Sequence, residues 1–153
     1  MKLLTVCYIR HDNKTLMLHR TKKHNDIHEG MWVGLGGKFE EGETPEACII
    51  REVYEESGLE IKSPKLKWLV TLPNFYGTET WYIFVFFSDT FTGELTECNE
   101  GELAWIENDK LLDLNLWEGD KIFIPWIDEE GFFSGNFMYR DKKLVEYSFQ
   151  KYT

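Results

Sequence analysis

The stretch around residues 44–58 constrains this chain most, because both ends of a helix and its charge pattern are written in it. Thr44 is a good N-cap, Pro45 suits the first helical position, and Gly58 suits a left-handed stop; together they predict a helix over 45–57. At about 100° per residue, Glu52, Glu55 and Glu56 fall within an arc of roughly 100°. Three carboxylates therefore share one face, and Ala47, Ile50, Val53 and Tyr54 are expected on the opposite one.

A helix face that only solvates the protein usually mixes lysine with glutamate at spacings of three and four, because like charges there repel by a few tenths of a kcal/mol. This face concentrates negative charge, and a hard cation would relieve the repulsion. Magnesium suits it, since it takes a few carboxylates together with waters and substrate phosphates. Taken alone, the three glutamates also fit a solvated acidic surface, so the residues around them have to decide.

The rest of the chain reads as one α+β domain spanning 1–153, with enough apolar and aromatic residues, 42% and 16%, to bury a core. Apolar runs at 3–9 and 16–18 flank a turn at 11–13 and predict a hairpin. The polar segment 21–30, with Lys22, Lys23, His24, Asp26 and His28, predicts a loop of the kind that borders sites. Strands are expected at 65–72 and 80–88 around a Pro/Asn/Gly loop, and at 102–106. A second helix is expected at 117–127, and a closing hairpin at 132–139 and 144–149.

Composition narrows the function. The 27 Asp and Glu outnumber the 17 Lys and Arg, which argues against a nucleic-acid polymer as partner. Cys7, Cys48 and Cys98 are an odd number without zinc-ligand spacing, so reduced thiols are the simplest reading. The N-terminus lacks the pattern of a signal peptide, and no stretch approaches the ~20 apolar residues of a membrane span. The expectation is a soluble cytoplasmic protein, monomeric or homodimeric, without a membrane partner.

From Gly37 through Glu43 and Arg51-Glu52-Val53-Tyr54-Glu55-Glu56-Ser57-Gly58-Leu59, the chain matches every specified position of the pattern G-x5-E-x7-R-E-U-x-E-E-x-G-U, with U aliphatic. It thereby resembles the Nudix hydrolases. The resemblance implies the Nudix fold, a mixed β-sheet sandwiched between α-helices. It further implies a magnesium site, with manganese as the alternative, on Glu52, Glu56 and the backbone carbonyl of Gly37. Glu55 is implied as a further ligand or the base that activates water, and Glu43 and Arg51 as internal organisers. Glu100, before a predicted strand, looks like the additional metal-binding glutamate that many members carry on a distant loop.

Similarity extends to the MutT-like enzymes, particularly the animal oxidised-purine triphosphatases, in two further places. Gly30-Met31-Trp32-Val33-Gly34-Leu35-Gly36-Gly37-Lys38 resembles G-x-W-N-G-F-G-G-K, and Leu116-Trp117-Glu118-Gly119-Asp120 resembles M-W-P-D-D. In that second run the tryptophan stacks on the base and the two aspartates contact its edge. Trp117 and Asp120 carry these roles over, while Gly119 replaces the first aspartate and Val33 replaces a base-bonding asparagine. Lys38 and Lys23 are candidates for phosphate contact. The implied reaction is hydrolysis of an oxidised purine nucleoside triphosphate, 8-oxo-dGTP foremost, to monophosphate and pyrophosphate. Another organic pyrophosphate is the alternative substrate, and a non-catalytic sensing module is the alternative class.

Overall fold

The computed structural model describes residues 1–152. Strand β1 (Lys2–His11) turns through Asp12 and Asn13 into β2 (Lys14–Arg20). Both turn residues take positive φ, 51° and 63°, the geometry that lets a two-residue turn follow the strand twist and that Asp and Asn tolerate. Two short strands, β3 (Trp32–Val33) and β4 (Leu35–Lys38), lead into helix α1 (Pro45–Ser57). The chain continues through β5 (Glu60–Ile61), β6 (Lys65–Tyr76), β7 (Glu79–Ser88), β8 (Phe91–Thr92) and β9 (Gly101–Glu107). A 3-10 turn, the short helix α2 (Glu118–Phe123), β10 (Phe132–Arg140) and β11 (Lys143–Tyr152) complete it.

The main sheet runs β11-β10-β6-β7-β1-β2-β3, with β4 added to β1 and β9 to β2. It is mixed: β1 lies parallel to β7, and β10 parallel to β6, while the other pairs are antiparallel. Alternation along β1 divides the core between its two faces. Cys7 and Ile9 pack with Ile49 and Val53 of α1, whereas Tyr8 packs with Trp68, Phe123, Phe133 and Phe137 on the α2 side. This is the α+β sandwich the sequence implied.

Three expectations need correction. Strand β6 does not end at Leu72 but continues through Pro73 and Asn74 to Tyr76, so the Pro/Asn/Gly loop shrinks to a turn at Gly77 and Thr78. The ladder is irregular between Leu72 and Tyr76, which is where a proline without an N–H can sit inside a strand. The second helix covers Glu118–Phe123 only and then tightens into a 3-10 turn at Ile124–Trp126 around Pro125. On α1 the buried side chains are Cys48, Ile49, Val53, Glu56 and Ser57; Ala47 and Tyr54 are exposed.

Candidate active site

Helix α1 is held at both ends as its sequence required. The Thr44 side chain accepts from the Ala47 N–H at 3.1 Å, and Gly58, at φ 80°, closes the C-terminus with its N–H on the Tyr54 carbonyl. The helix faces β4, whose glycines are needed for close approach. A Cβ on Gly36 would run into the Thr5 backbone, and one on Gly37 would fall 2.5 Å from a carboxylate oxygen of Glu52. The absent side chain at 37 is thus the space that the Glu52 carboxylate occupies.

Arg51 ties this corner together. Its Nε and Nη2 donate to Glu43 at 2.7 and 2.9 Å, Nη1 donates to Glu52 at 2.9 Å, and Nη2 reaches the Lys38 carbonyl at 3.0 Å. The two guanidinium bonds, with the Glu40 N–H, hold the Glu43 carboxyl down at about 2. Glu55 touches Arg51 only at 3.3 Å and is mostly solvated.

Glu56 differs from its neighbours. It is 9% exposed, accepts from the Gly36 N–H at 2.8 Å, and has no guanidinium or ammonium partner among the described residues. Burial, followed by the negative charge of Glu100, pushes its carboxyl well up. Burial also raises Glu52, against the opposing pull of Arg51. Glu100 bonds to Arg20 at 3.2 Å. The Gly37 carbonyl accepts from the Thr5 hydroxyl at 3.3 Å and, over a longer contact of 3.9 Å, from the Cys48 thiol.

This donor set suits a hard divalent cation: buried or half-buried carboxylate oxygens, a neighbouring backbone carbonyl oxygen, and like-charge repulsion that a cation would relieve. Among the described residues no three acidic, His or Cys side chains form a ready-made cage. A magnesium ion that keeps waters and takes phosphate oxygens needs none.

Beside the acids lies a cavity of about 290 Å³. Gly36, Gly37, Lys38 and Glu100 line one part, and Tyr8, Trp117, Gly119, Asp120 and Tyr139 line another. Lys23 and Lys38 are exposed at its rim, while Val33 presents only carbon to it. Trp117 is 5% exposed and donates its indole N–H to Nδ1 of His28 at 2.8 Å. Phe75 and Tyr139 meet it edge to face at 5.0 and 5.3 Å. Asp120 carries no side-chain hydrogen bond, and burial alone raises its carboxyl to about 7.

The structure therefore brings Gly37, Glu100, Lys38, Lys23, Trp117 and Asp120 around one space, sets Glu52 and Glu56 behind its Gly36–Gly37 wall rather than in its lining, and does not bring Glu55 into the lining. The sequence reading missed Tyr8, Phe75, Trp81 and Tyr139, all of which line the cavity. Tyr8, Trp81 and Tyr139 lie in strands whose pattern marks them only as core, and Phe75 fell in the stretch expected to be a loop. His28 lay in the polar loop already read as a site border, but nothing in its neighbours pointed to Trp117.

Residues 1–127 match the NUDIX domain family. The chain is 31% identical over 153 residues to YvcI, an uncharacterised Nudix hydrolase of Bacillus subtilis, covering 96% of this chain and 93% of that one. It is 28% identical over 144 residues to the oxidized purine nucleoside triphosphate hydrolase of Danio rerio, covering 94% and 90%. In three dimensions it superposes on the mutator MutT protein of Bacillus halodurans with a TM-score of 0.86 at 30% identity, covering 97% of both chains.

Proposed function

The chain belongs to the NUDIX family, and from that premise we propose that it hydrolyses an oxidised purine nucleoside triphosphate, 8-oxo-dGTP foremost, to the monophosphate and pyrophosphate. Nudix hydrolases act on pyrophosphate-linked substrates and generally use divalent cations. One observation carries the finer reading: a single cavity joins the glycine and acidic corner to an aromatic recess holding Trp117 and Asp120. A base in that recess leaves its phosphates beside Gly37, Lys38 and Glu100. The similarity to the zebrafish hydrolase of oxidised purine triphosphates supports the same substrate.

In the proposed reaction water forms a bond to the β-phosphorus, and the bond from that phosphorus to the α,β-bridging oxygen breaks. The monophosphate leaves with the bridging oxygen, and pyrophosphate is released. Glu52, Glu56, Glu100 and the Gly37 carbonyl would hold the cation, with Glu55 as a further ligand or as the base taking the water's proton. Magnesium, or manganese in its place, supplies charge neutralisation and Lewis acidity when bound. Arg51 and Glu43 fix the carboxylates without touching substrate, and Lys38 and Lys23 lie where phosphates enter. Removing such a nucleotide from the pool keeps its base out of DNA.

Val33 and Gly119 favour a second reading, another nucleoside triphosphate or organic pyrophosphate, because neither offers the side-chain polar atoms that the animal enzymes place there. A chromatographic product assay with magnesium separates the two. 8-oxo-dGTP is set against dGTP, other triphosphates, a dinucleotide polyphosphate and a nucleotide sugar. Selective conversion of 8-oxo-dGTP supports the first reading, and preference for another compound replaces it with the second.

A further inference from the structure

The inner part of the cavity carries polar groups that phosphate chemistry does not use. The N–H of Gly119 donates to the Tyr139 hydroxyl at 2.6 Å, and a Cβ on residue 119 would fall 2.7 Å from that oxygen. The glycine thus makes room for a phenol arriving from β10. Because the phenol oxygen accepts from Gly119, its own proton remains to be donated. Edge contacts to Trp117 at 5.3 Å and Phe75 at 5.4 Å hold the ring in place. Asp120, the residue after Gly119, lines the same cavity with both carboxyl oxygens free of side-chain partners. Tyr8 lines it from β1.

A 6-oxopurine presents a carbonyl acceptor at C6 and an N–H donor at N1, whereas a 6-aminopurine presents a donor at C6 and an acceptor at N1. A phenol that donates beside a carboxylate that accepts matches the first pattern and opposes the second. We propose that the Tyr139 hydroxyl, paired with Asp120, selects 6-oxopurine bases over 6-aminopurine bases. Tyr139 thereby replaces a base-reading side chain that residue 119 lacks. The inference rests on reading the cavity as a purine nucleotide site.

Inosine and adenosine monophosphates test it, since they differ only in the C6 and N1 pattern, and tryptophan fluorescence reports their binding without metal or turnover. The wild-type protein should bind inosine monophosphate at least about tenfold more tightly than adenosine monophosphate. Tyr139→Phe keeps the ring and should cut that ratio to about threefold or less, with an unchanged thermal midpoint. Asp120→Asn is an independent variant that should narrow it as well. If the wild type binds both nucleotides equally, or if a folded variant of either kind keeps the full ratio, this inference alone fails. If it binds neither while hydrolysing another pyrophosphate, the purine reading fails and takes the inference with it.

Discussion

The indole N–H of Trp117 donates to Nδ1 of His28 at 2.8 Å, across 89 residues of chain. The bond requires a histidine that is unprotonated at Nδ1, and burial, aided by nearby Arg20, lowers the His28 pKa to about 4. The loop at 21–30 is thereby fastened to the start of α2 by a contact that acid should break.

The pH dependence of stability follows with a definite sign. An unfolded His28 takes up a proton near 6.5 and the folded one only near 4, so between these values the unfolded state binds more protons and stability falls with falling pH. The difference is on the order of 3 kcal/mol at most. Asp120, raised to about 7 by burial, acts in the opposite sense throughout that window. The contribution of His28 is therefore the difference between wild type and His28→Gln in thermal melts at pH 7, 5.5 and 4. Parallel curves for the two proteins would refute it.

Trp117→Ala should cost about 3–5 kcal/mol of stability, because the indole is 5% exposed and packed on three rings. Loss of binding in that variant would not separate stacking from folding. Trp117→Phe keeps an aromatic face but abandons the His28 bond, and should weaken nucleoside monophosphate binding by several-fold while the protein stays folded at 25 °C. Calorimetric titration and a melt on the same sample distinguish a lost platform from lost structure.

Glu56→Gln should abolish most turnover, by about a thousandfold or more, if Glu56 is a cation ligand. The amide still accepts from Gly36 N–H and stays neutral where burial and Glu100 already disfavour a charge. The metal-free thermal midpoint should therefore hold or rise, although the residue is buried. Normal turnover with magnesium in this variant would remove Glu56 from the ligand set.

How far the site could be read from sequence is clearest at Glu56 itself. Its presence in the box and the limits of its helix were legible, because Thr44, Pro45 and Gly58 are local signals. Its burial was not, since it depends on Gly36, twenty residues earlier, and on Glu100 arriving before β9. The same distinction explains the misplaced apolar face. Periodicity put Ala47 and Tyr54 inward, but β4 packs against Glu52 and Glu56, so the buried arc is centred on Cys48, Ile49, Val53 and Glu56. Tyr8 and Tyr139 meet in one cavity only through the order β10-β6-β7-β1, and no local pattern encodes the parallel pairings in it.

Gly37→Ala isolates the close approach of β4 and α1. The added methyl would lie 2.5–2.8 Å from the Glu52 carboxylate group, and the flexible side chain can yield while the backbone stays. The protein should fold with a loss of about 1–2 kcal/mol. Its magnesium requirement should rise roughly tenfold or more, because a carboxylate moved by an ångström no longer holds a cation well. Rate against magnesium concentration reads this directly, and an unchanged midpoint would show that Glu52 does not need the space at residue 37.

The final prediction joins Asp120 to base selection. Its carboxyl, raised to about 7 by burial, accepts at both oxygens when ionised and offers one donor beside its remaining acceptor when protonated. The groups that face it, Tyr8 from β1 and Tyr139 from β10, are phenols pushed above their ordinary range by burial and by Asp120 itself, so neither changes charge near neutrality. Ionised Asp120 suits the N1–H of inosine monophosphate; protonated Asp120 can donate to the N1 of adenosine monophosphate. The preference for inosine monophosphate should therefore grow several-fold from pH 6 to pH 8. Both nucleotides carry the same phosphate, whose titration cancels in the ratio of their affinities. Asp120→Asn has no proton to lose and should give a flat ratio across that range. A ratio that climbs equally in wild type and variant would assign the pH dependence to some other group.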